Sequence, residues 1–434
     1  MRIRVKHDGL SVHAIVGSEV VLFGLDVPEE MASRLLGFGF ERTDATSGRC
    51  GPLTGLKTFA ATEAPGHPQG TPVSTLEHPV QAFLWGDYAV DPGHPYTYRV
   101  VALGGTPENL QSLAETEVSI TTESPGSGTH GIFFNRGAAA SQSYAREFQN
   151  RPPDKVPDRR AWKWLSRGLE EALLGFIADA RRGDQLRAAM YEFQYPAVLD
   201  AFHAASGRGV DVRIVMDAKA NEKPDPGKEA AHGDPRDANL AAIAKAKLGA
   251  VTTRREANRS YIAHNKFIVL IRGGKPVSVW TGSTNVTDGG IFGHSNVGHI
   301  VRDADVAQAF LDYWTQLEAD PTRAKLTPWT EQLAMPEGKP SSGVTTIFSP
   351  RKSIAALEWY ASLMEGASTS VFFTAALAFP RSCKPSSPRM SISCGMGSST
   401  TVKTRSSCSN ATGTTSSWSG RRSRKRSVDG RPNG

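Results

Sequence analysis

Segments with helical and strand-like spacing of apolar residues alternate between residues 160 and 320. Apolar positions at helical spacing predict a helix over 162–180. Residues 186–193 and 210–216 have the apolar, β-prone character of strands, and 197–205 between them predicts a short helix that ends at the following glycines. This strand–helix–strand unit indicates a parallel or mixed sheet covered by helices.

The same alternation continues toward residue 317. Asp237 is expected to cap a helix that runs to residue 248 and stops at Gly249. The run Phe-Ile-Val-Leu-Ile at 267–271 predicts a buried strand, and residues 305–317 predict a closing helix. The fold class predicted for this region is therefore α/β.

Residues 1–125 have a different pattern. The stretches 96–103 and 118–122 are β-prone, and clusters of Gly and Pro separate them from their neighbours. This pattern predicts a small β-sandwich-like N-terminal domain, which resembles a fibronectin type III module at its last strands.

The residues with the strongest chemical signal surround the strand at 267–271. The sequence His-Asn-Lys at 264–266 precedes it, and Gly-Ser-Thr-Asn follows at 282–285. Because side chains alternate along a strand, His264 and Lys266 are expected to share one face. Gly282 allows close approach of a ligand, and Ser283 and Asn285 supply neutral polar groups. A nucleophile, a cation and neutral donors suit chemistry at a phosphate.

This combination resembles the motif of the phospholipase D superfamily, which is His-x-Lys, four residues, Asp, and later Gly-Ser-x-Asn. His264, Lys266, Gly282, Ser283 and Asn285 match it, whereas the Asp position falls on an isoleucine, residue 271. The surroundings at 280–285 and 293–296 are similar to a bacterial branch of the family, and the similar region covers 131–379. The resemblance implies a phospholipase D-like mixed sheet flanked by helices.

The resemblance also implies a mechanism without metal or cofactor. His264 would attack phosphorus to form a phosphohistidine, and a histidine from a second copy of the motif would protonate the leaving alcohol and later activate water. Lys266 and Asn285 would act with it at the phosphate, and Gly282, Ser283 and Asn296 would contact the substrate. Isoleucine at position 271, in place of the family's Asp, is expected to affect how efficiently this half-site works more than whether it is a half-site of this family.

Further candidates have structural alternatives. Two histidines flank Asn296 and either line the site or have a structural role. Two carboxylates at strand ends could replace the missing Asp. Lysines in or beside the loop 220–236 either contact an anionic substrate or are solvated. These residues are His294, His299, Glu192, Asp217, Lys219, Lys223 and Lys228.

The net charge of +7 is concentrated at the C-terminus. From residue 381 onward there are eleven Lys or Arg and one acid, a balance of +10, so the first 380 residues carry −3. The body of the chain therefore lacks the excess of positive charge that favours nucleic acid. The Ser- and Thr-rich tail 381–434 is interpreted either as a disordered basic tail or as the product of a frameshift near Pro380. For residues 386–401, GC-rich codons read in the neighbouring frame can encode an amphipathic segment.

Three of the four cysteines, Cys383, Cys394 and Cys408, lie in this tail, which leaves Cys50 elsewhere. Neither a disulfide framework nor a zinc site is expected.

An internal repeat begins after residue 330. Residues 346–351 echo 131–136, and 371–376 echo 190–193, so that a second copy begins about 215 residues after the first. A second His-x-Lys at that offset would lie beyond residue 434. The predicted organisation is a β-rich domain at 1–125, a first phospholipase D-like domain at 126–330, the start of a truncated second repeat at 331–380, and the tail.

These observations leave three functions open. The first is a phosphodiesterase acting on a phosphodiester, with a phospholipid headgroup ester favoured. The second is a nuclease of the same superfamily that completes its site as a homodimer, and the third is a non-catalytic, truncated phosphate-binding protein. No run is long enough to span a membrane and no signal peptide is visible, so cytoplasmic residence is expected.

Overall fold

The computed structural model of this chain divides into two compact units, one of Met1–Pro336 and Pro340–Lys352 and one of Glu337–Lys339 and Ser353–Gly434. The structure describes residues 1–66, 68, 70–219, 235–257, 262–336, 338 and 343–367, and the backbone of 370–373, 390–392 and 400–404. No helix among these residues is long and apolar enough to cross a membrane.

The N-terminal region, which the sequence predicted to be β-rich, is antiparallel β-structure. Its two main sheets have the strand orders β1-β2-β3-β8 and β10-β9-β4-β5, and β6 and β7 form a separate ribbon. Alternating residues of the main strands are buried in one apolar cluster. The elements are β1 (Arg2–His7), β2 (Leu10–Val16), β3 (Val21–Asp26), α1 (Glu29–Ala32), β4 (Leu35–Asp44), β5 (Cys50–Pro52), β6 (Thr54–Gly55), β7 (Val73–Ser74), β8 (Leu84–Asp87), β9 (Pro95–Thr106) and β10 (Asn109–Thr121).

The region that follows contains a mixed sheet of seven strands, which confirms the predicted α/β class. Its strands are β11 (His130–Phe134), β12 (Gln185–Met190), β13 (Asp211–Asp217), β14 (Thr252–Arg255), β15 (Lys266–Arg272), β16 (Lys275–Gly282) and β17 (Val297–Val301). They lie in the order β11-β17-β16-β15-β12-β13-β14. Strands β12, β13 and β14 pair in parallel, and the remaining pairs are antiparallel.

Helices cover both faces of this sheet. They are α2 (Gln142–Phe148), α3 (Arg160–Ser166), α4 (Leu169–Ala178), α5 (Pro196–Gly207), α6 (Arg236–Lys245), α7 (Ala304–Glu318) and α8 (Arg323–Gln332). On one face, Ile268 and Leu270 of β15 join the cluster buried under α4 and α5. On the other face, Val269 and Ile271 pack in a cluster with Trp314 of α7. A strand buried on both faces explains the uninterrupted apolar run that the sequence shows there.

The single helix predicted for 162–180 is wrong, because the chain forms two helices, α3 and α4. Between them, Arg167 has φ 51° and Gly168 has φ 85°, which are left-handed conformations that end a helix. The Arg167 guanidinium pairs with the carboxylate of Glu19 and donates to its carbonyl oxygen at 3.1 Å. The break therefore accompanies a contact with a residue 148 positions away.

The N-termini of α6 and α7 differ in how well the sequence predicted them. Pro235, and not Asp237, occupies the N-cap of α6, so Asp237 lies in the first turn, where a negative charge is favourable. The helix predicted at 305–317 is confirmed as α7, and its N-cap Asp303 accepts from two backbone N–H groups.

The second unit contains α9 (Ala355–Glu365) and a small antiparallel sheet of β18 (Ser370–Phe373), β20 (Thr400–Thr404) and β19 (Met390–Ile392). Residues 346–351, the predicted echo of β11, contain no strand. Strands β19 and β20 fall within 381–434, and the three tail cysteines and Pro380 lie outside the described residues.

Candidate active site

His264 and Lys266 come together, but not through strand alternation. Strand β15 begins at Lys266, which pairs with Met190 at the end of β12, so His264 precedes the ladder. The prediction that both lie on one strand is therefore wrong. The ring of Tyr191, which follows β12, lies 4.7 Å from the His264 ring and 5.5 Å from Lys266 Nζ. An aromatic ring at the end of the neighbouring strand brings the imidazole and the ammonium side by side.

The charge states of this pair suit nucleophilic attack on an anion. His264 is open to solvent on one side, and partial burial, aided by the charge of Lys266, lowers its pKa. Lys266 is 8 % exposed, and burial lowers its pKa to about 8, against the opposing effect of Glu192. Near pH 7 the imidazole is therefore neutral while most of the lysine remains charged.

Two carboxylates act on this pair or on the chain beside it, one just after β12 and one at the end of β13, whereas the position of the motif aspartate lies elsewhere. Ile271 is on the face of β15 opposite to Lys266, inside an apolar cluster, where a carboxylate would be buried among hydrocarbon side chains. Glu192, directly after Tyr191, opposes the positive charge of Lys266.

Asp217 holds the chain just ahead of His264. It lies at the end of β13 and is 5 % exposed. One carboxylate oxygen accepts from the backbone N–H of Ala263 at 2.8 Å, and the other accepts from that of Lys219 at 3.1 Å. The sequence suggested Glu192 and Asp217 as substitutes for the missing Asp, and the two contribute differently: one balances charge, and the other anchors a backbone segment.

Gly282 is required for close packing of strands. Its φ is +138°, and a Cβ at this position would lie 2.1 Å from the carbonyl oxygen of Val297 in β17. The backbone approach that the sequence suggested is therefore made to a neighbouring strand, while the same glycine also lines the cavity described below.

Ser283 and Asn296 bond to each other. The Ser283 hydroxyl donates to Asn296 Oδ1 at 2.9 Å and accepts from the backbone N–H of Val297 at 3.1 Å. The Asn296 amide nitrogen donates to the carbonyl of Gly290 at 2.8 Å. Asn285 Oδ1 is buried without a hydrogen-bond partner among the described residues. These three side chains do not line the cavity that contains His264.

Asn135 completes this network and was missed from the sequence. It is buried just after β11, its amide nitrogen donates to the carbonyls of Ile291 and His294 at 2.7 Å each, and its oxygen accepts from the backbone N–H of Asn296 at 2.6 Å. A polar residue directly after an edge strand was the available signal, but its partners lie more than 150 positions away.

A cavity of about 440 Å³ opens beside the His264–Lys266 pair. His299 lines it, and its Nε2 lies 3.0 Å from Nδ1 of His130 on the adjacent strand. Burial, and secondarily the neighbouring His130, lowers the pKa of His299. His294 does not line this cavity. The part of the chain that the structure describes contains no group of three or more His, Cys, Asp or Glu able to hold a metal, and Lys223 and Lys228 lie outside it.

The same histidine also lines a second, smaller cavity of about 220 Å³. The two cavities share four lining residues, His264, Asn265, Tyr313 and Ser349. The Tyr313 hydroxyl donates to the carbonyl of Ser349 at 2.7 Å, which ties helix α7 to the segment that covers the site.

Part of this chain is similar to a known protein family. A family model described as "Cardiolipin synthase, PLD-like domain" matches residues 173–317, which include β12 to β17 and most of α7. Among solved structures, the phospholipase D family member Nuc from Salmonella typhimurium is 26 % identical, with 34 % of this chain and 84 % of that chain covered and a TM-score of 0.26.

Two further structures share less of the sequence. NucT from Helicobacter pylori is 16 % identical, covering 35 % of this chain and 87 % of that one with a TM-score of 0.25. The phosphatidylserine synthase of Haemophilus influenzae Rd KW20 is 10 % identical, covering 49 % and 42 % with a TM-score of 0.27. The search of curated proteins found no match.

Proposed function

We propose that this chain, whose residues 173–317 make it a member of the phospholipase D superfamily, cleaves phosphodiesters by nucleophilic attack of His264. The observation that carries this proposal is the convergence of His264 and Lys266 on the ring of Tyr191 beside a cavity. A neutral imidazole supplies the electron pair, and the adjacent ammonium binds the phosphate and offsets the charge that builds on its oxygens.

The reaction has two steps. An imidazole nitrogen of His264 forms a bond to phosphorus while the bond from phosphorus to the leaving oxygen breaks, and that oxygen takes a proton from a general acid. Water then attacks phosphorus, the phosphorus–nitrogen bond breaks, and a phosphate monoester leaves as the water proton passes to the same group acting as a base. Lys266 binds the phosphate oxygens in both steps.

The general acid is proposed to be the His264 of a second copy of the chain, which takes up a proton when the phosphate anion binds beside it. The superfamily resemblance implies two motifs facing each other, and the described residues contain one His-x-Lys pair of this kind. Since the His264 side chain is open to solvent, a partner can approach it. The chain therefore supplies one half of a site that a homodimer completes.

A phospholipid headgroup ester is the favoured substrate. The first 380 residues carry a balance of −3, and nucleic acid binding relies on an excess of Lys and Arg along the phosphate backbone. A nuclease activity and a non-catalytic, phosphate-binding role are the outcomes that would replace this assignment.

The test is to trap the covalent intermediate. With radiolabelled diphenyl phosphate, base-quenched enzyme should carry label that acid releases, and His264→Ala should abolish both the label and turnover. His203→Ala, at an exposed position of α5, is the matched control and should behave as the wild type. Labelling that survives His264→Ala would overturn the mechanism, and absence of label in the wild type would favour a binding role.

DNA added to the same assay separates the remaining alternative. Cleavage of DNA that increases with protein concentration, without turnover of phospholipid vesicles, would favour a dimeric nuclease. Turnover of phosphatidylcholine vesicles without DNA cleavage is the expected result.

A further inference from the structure

Helix α6 buries two residues one turn apart, and one of them is polar. These residues are Asn239 and Ile243, and Asn239 is 0 % exposed. The buried face of a helix is ordinarily apolar, because an amide taken out of water costs free energy unless its donor and acceptor groups find partners. The partners of Asn239 therefore indicate what this side chain does.

The partners of the Asn239 amide all lie in the segment 191–195, which follows β12. Its Nδ2 donates to the carbonyl of Tyr191 at 2.7 Å. Its Oδ1 accepts from the backbone N–H of Phe193 at 2.9 Å and from the side-chain amide of Gln194 at 3.0 Å. One buried side chain thus satisfies both a carbonyl and an N–H of a segment that is not part of a helix or sheet ladder.

The segment 191–195 is also held by the loop that follows β16. The backbone N–H of Val286 donates to the carbonyl of Glu192 at 3.1 Å. Its carbonyl accepts from the backbone N–H groups of Gln194 at 2.8 Å and Tyr195 at 2.9 Å. Fixed to two other parts of the chain, the segment has little freedom to shift, and Asn239 supplies the side-chain share of that restraint.

The segment 191–195 carries the two side chains that act on the proposed nucleophile and its cation. The Tyr191 ring lies 4.7 Å from the His264 ring and 5.5 Å from Lys266 Nζ, and Glu192 opposes the charge of Lys266. We propose that Asn239 is a positioning residue, which holds the Tyr191 ring and the Glu192 carboxylate in place beside these two groups. This inference rests on the proposed function.

Loss of the Asn239 amide should change how the pair titrates. Burial lowers the pKa of His264 and that of Lys266, and for Lys266 it outweighs the opposing effect of Glu192. When the carbonyl of Tyr191 loses its partner, we expect the ring to move and water to reach both groups. Both pKa values should then rise toward their ordinary values of 6.5 and 10.5.

Other titratable groups around the pair should stay in place. His299 and Tyr313 line the same cavity, and Asp217 binds the backbone just before His264. Each of these three has a hydrogen-bond partner other than Asn239. An effect of residue 239 on the pair would therefore pass through the segment 191–195.

Titration of the full-length protein by NMR tests the proposal. In Asn239→Ala, the signals of His264 and Lys266, assigned by their loss in His264→Ala and Lys266→Met, should titrate at higher pH than in the wild type. Both limbs of the pH profile of kcat/KM should move upward with them. At the optimum, kcat should fall about tenfold while KM changes less than about twofold, because the reacting groups are misplaced.

Two controls separate positioning from a general loss of stability. Ile243→Ala, on the same buried face of α6, loses packing without losing a hydrogen bond and should leave both titrations unchanged. In a Tyr191→Leu background, Asn239→Ala should cause no further shift, because the ring through which it acts is gone. Asn239→Ser, which keeps a polar group of shorter reach, should shift both titrations less and in the same direction, and it replaces Asn239→Ala if that variant does not fold.

Titrations unchanged in the Asn239 variants, equal shifts in Ile243→Ala, or a full further shift in the Tyr191→Leu background would overturn the proposal. The titration needs no turnover, so the two proposals fail separately. If the shifts occur but no acid-labile label forms on wild-type His264, Asn239 positions the pair and the proposed catalysis is wrong. If label forms and the shifts are absent, the catalysis holds and the role of Asn239 is wrong.

Discussion

Replacing Lys266 by methionine should stabilise the protein while abolishing its activity. Lys266 is 8 % exposed, and burial lowers its pKa from 10.5 to about 8. Since each pKa unit corresponds to about 1.4 kcal/mol, keeping this lysine charged in the folded chain at pH 7 costs about 3 kcal/mol. Methionine has a similar length and no charge, so Lys266→Met removes this cost.

The net gain is smaller than the full cost. Lys266 Nζ donates to the carbonyl of His264 at 3.1 Å, and loss of that hydrogen bond costs about 1 kcal/mol. An increase of about 2 kcal/mol in the free energy of unfolding is therefore expected at pH 7.

The sign of the pH dependence makes the test specific. Because the folded pKa is depressed, the unfolded chain binds more protons between pH 8 and 10.5, and wild-type stability rises with pH through this window. At pH 10 the folded lysine is already neutral, and the cost in the wild type falls to about 1 kcal/mol. The advantage of Lys266→Met should therefore nearly vanish there.

Urea unfolding of both proteins at pH 7 and pH 10 measures this difference, with Lys155→Met, whose side chain is 72 % exposed, as the control. The control should shift stability by no more than about 0.5 kcal/mol at either pH. A Lys266→Met protein that is less stable than the wild type at pH 7, or a difference that does not depend on pH, would refute the argument.

Three further predictions follow from the site. The pH profile of kcat/KM should be bell-shaped: kcat/KM rises as His264 loses its proton below pH 6.5 and falls near pH 8 as Lys266 loses its proton. Lys266→Arg should remove the fall, because arginine stays charged. The Asp217 carboxylate accepts hydrogen bonds from two backbone N–H groups, and Asp217→Asn turns an amide N–H toward one of them. This variant should lower kcat about tenfold and lose about 1–3 kcal/mol of stability. Gly282→Ala, measured by thermal unfolding, should destabilise by more than about 2 kcal/mol, whereas Gly175→Ala, with open space around its Cβ in a helix, should be neutral or stabilising.

Each of these has a result that would count against it. A flat profile above pH 7 in the wild type would show that the Lys266 charge is not needed. Asp200→Asn, on the exposed side of α5, controls for the loss of a carboxylate, and equal effects at positions 200 and 217 would remove the anchoring role. A Gly282→Ala protein as stable as the wild type would mean that β16 and β17 separate easily.

The elements that the sequence predicted well are those whose signal is local. Strand β15 was found because it is a continuous apolar run buried on both faces of the sheet. Strands β12 and β13 were found because short β-prone stretches with buried apolar residues stand on either side of a predicted helix. The parallel pairing of β12 with β13 followed from the helix between them. The split between α3 and α4 was missed although Gly168 was a local signal for it, because the apolar spacing continues across the break.

Some features of the site could likewise be predicted from the sequence, and others could not. The residue types of the motif and their spacing were readable, and they led to the family that the match to residues 173–317 supports. The meeting of His264 and Lys266 on Tyr191, the bond between Ser283 and Asn296, and the location of Ile271 were not readable. The first depends on the pairing of β15 with β12, a strand distant in the chain. The second spans only 13 positions but depends on how β16 and β17 pair, and the third depends on which face of β15 packs against α7.

By itself, the sequence determined the α/β class, the β-rich character of the N-terminal region and the chemical groups available at a phosphate. Periodicity and residue type are local properties, and they survive without knowledge of the fold. The tertiary structure alone decided which groups line the cavity, which polar side chains are hydrogen-bonded to each other, and which carboxylate anchors the backbone just before His264. Those outcomes depend on register and burial, which bring together side chains that no local pattern connects.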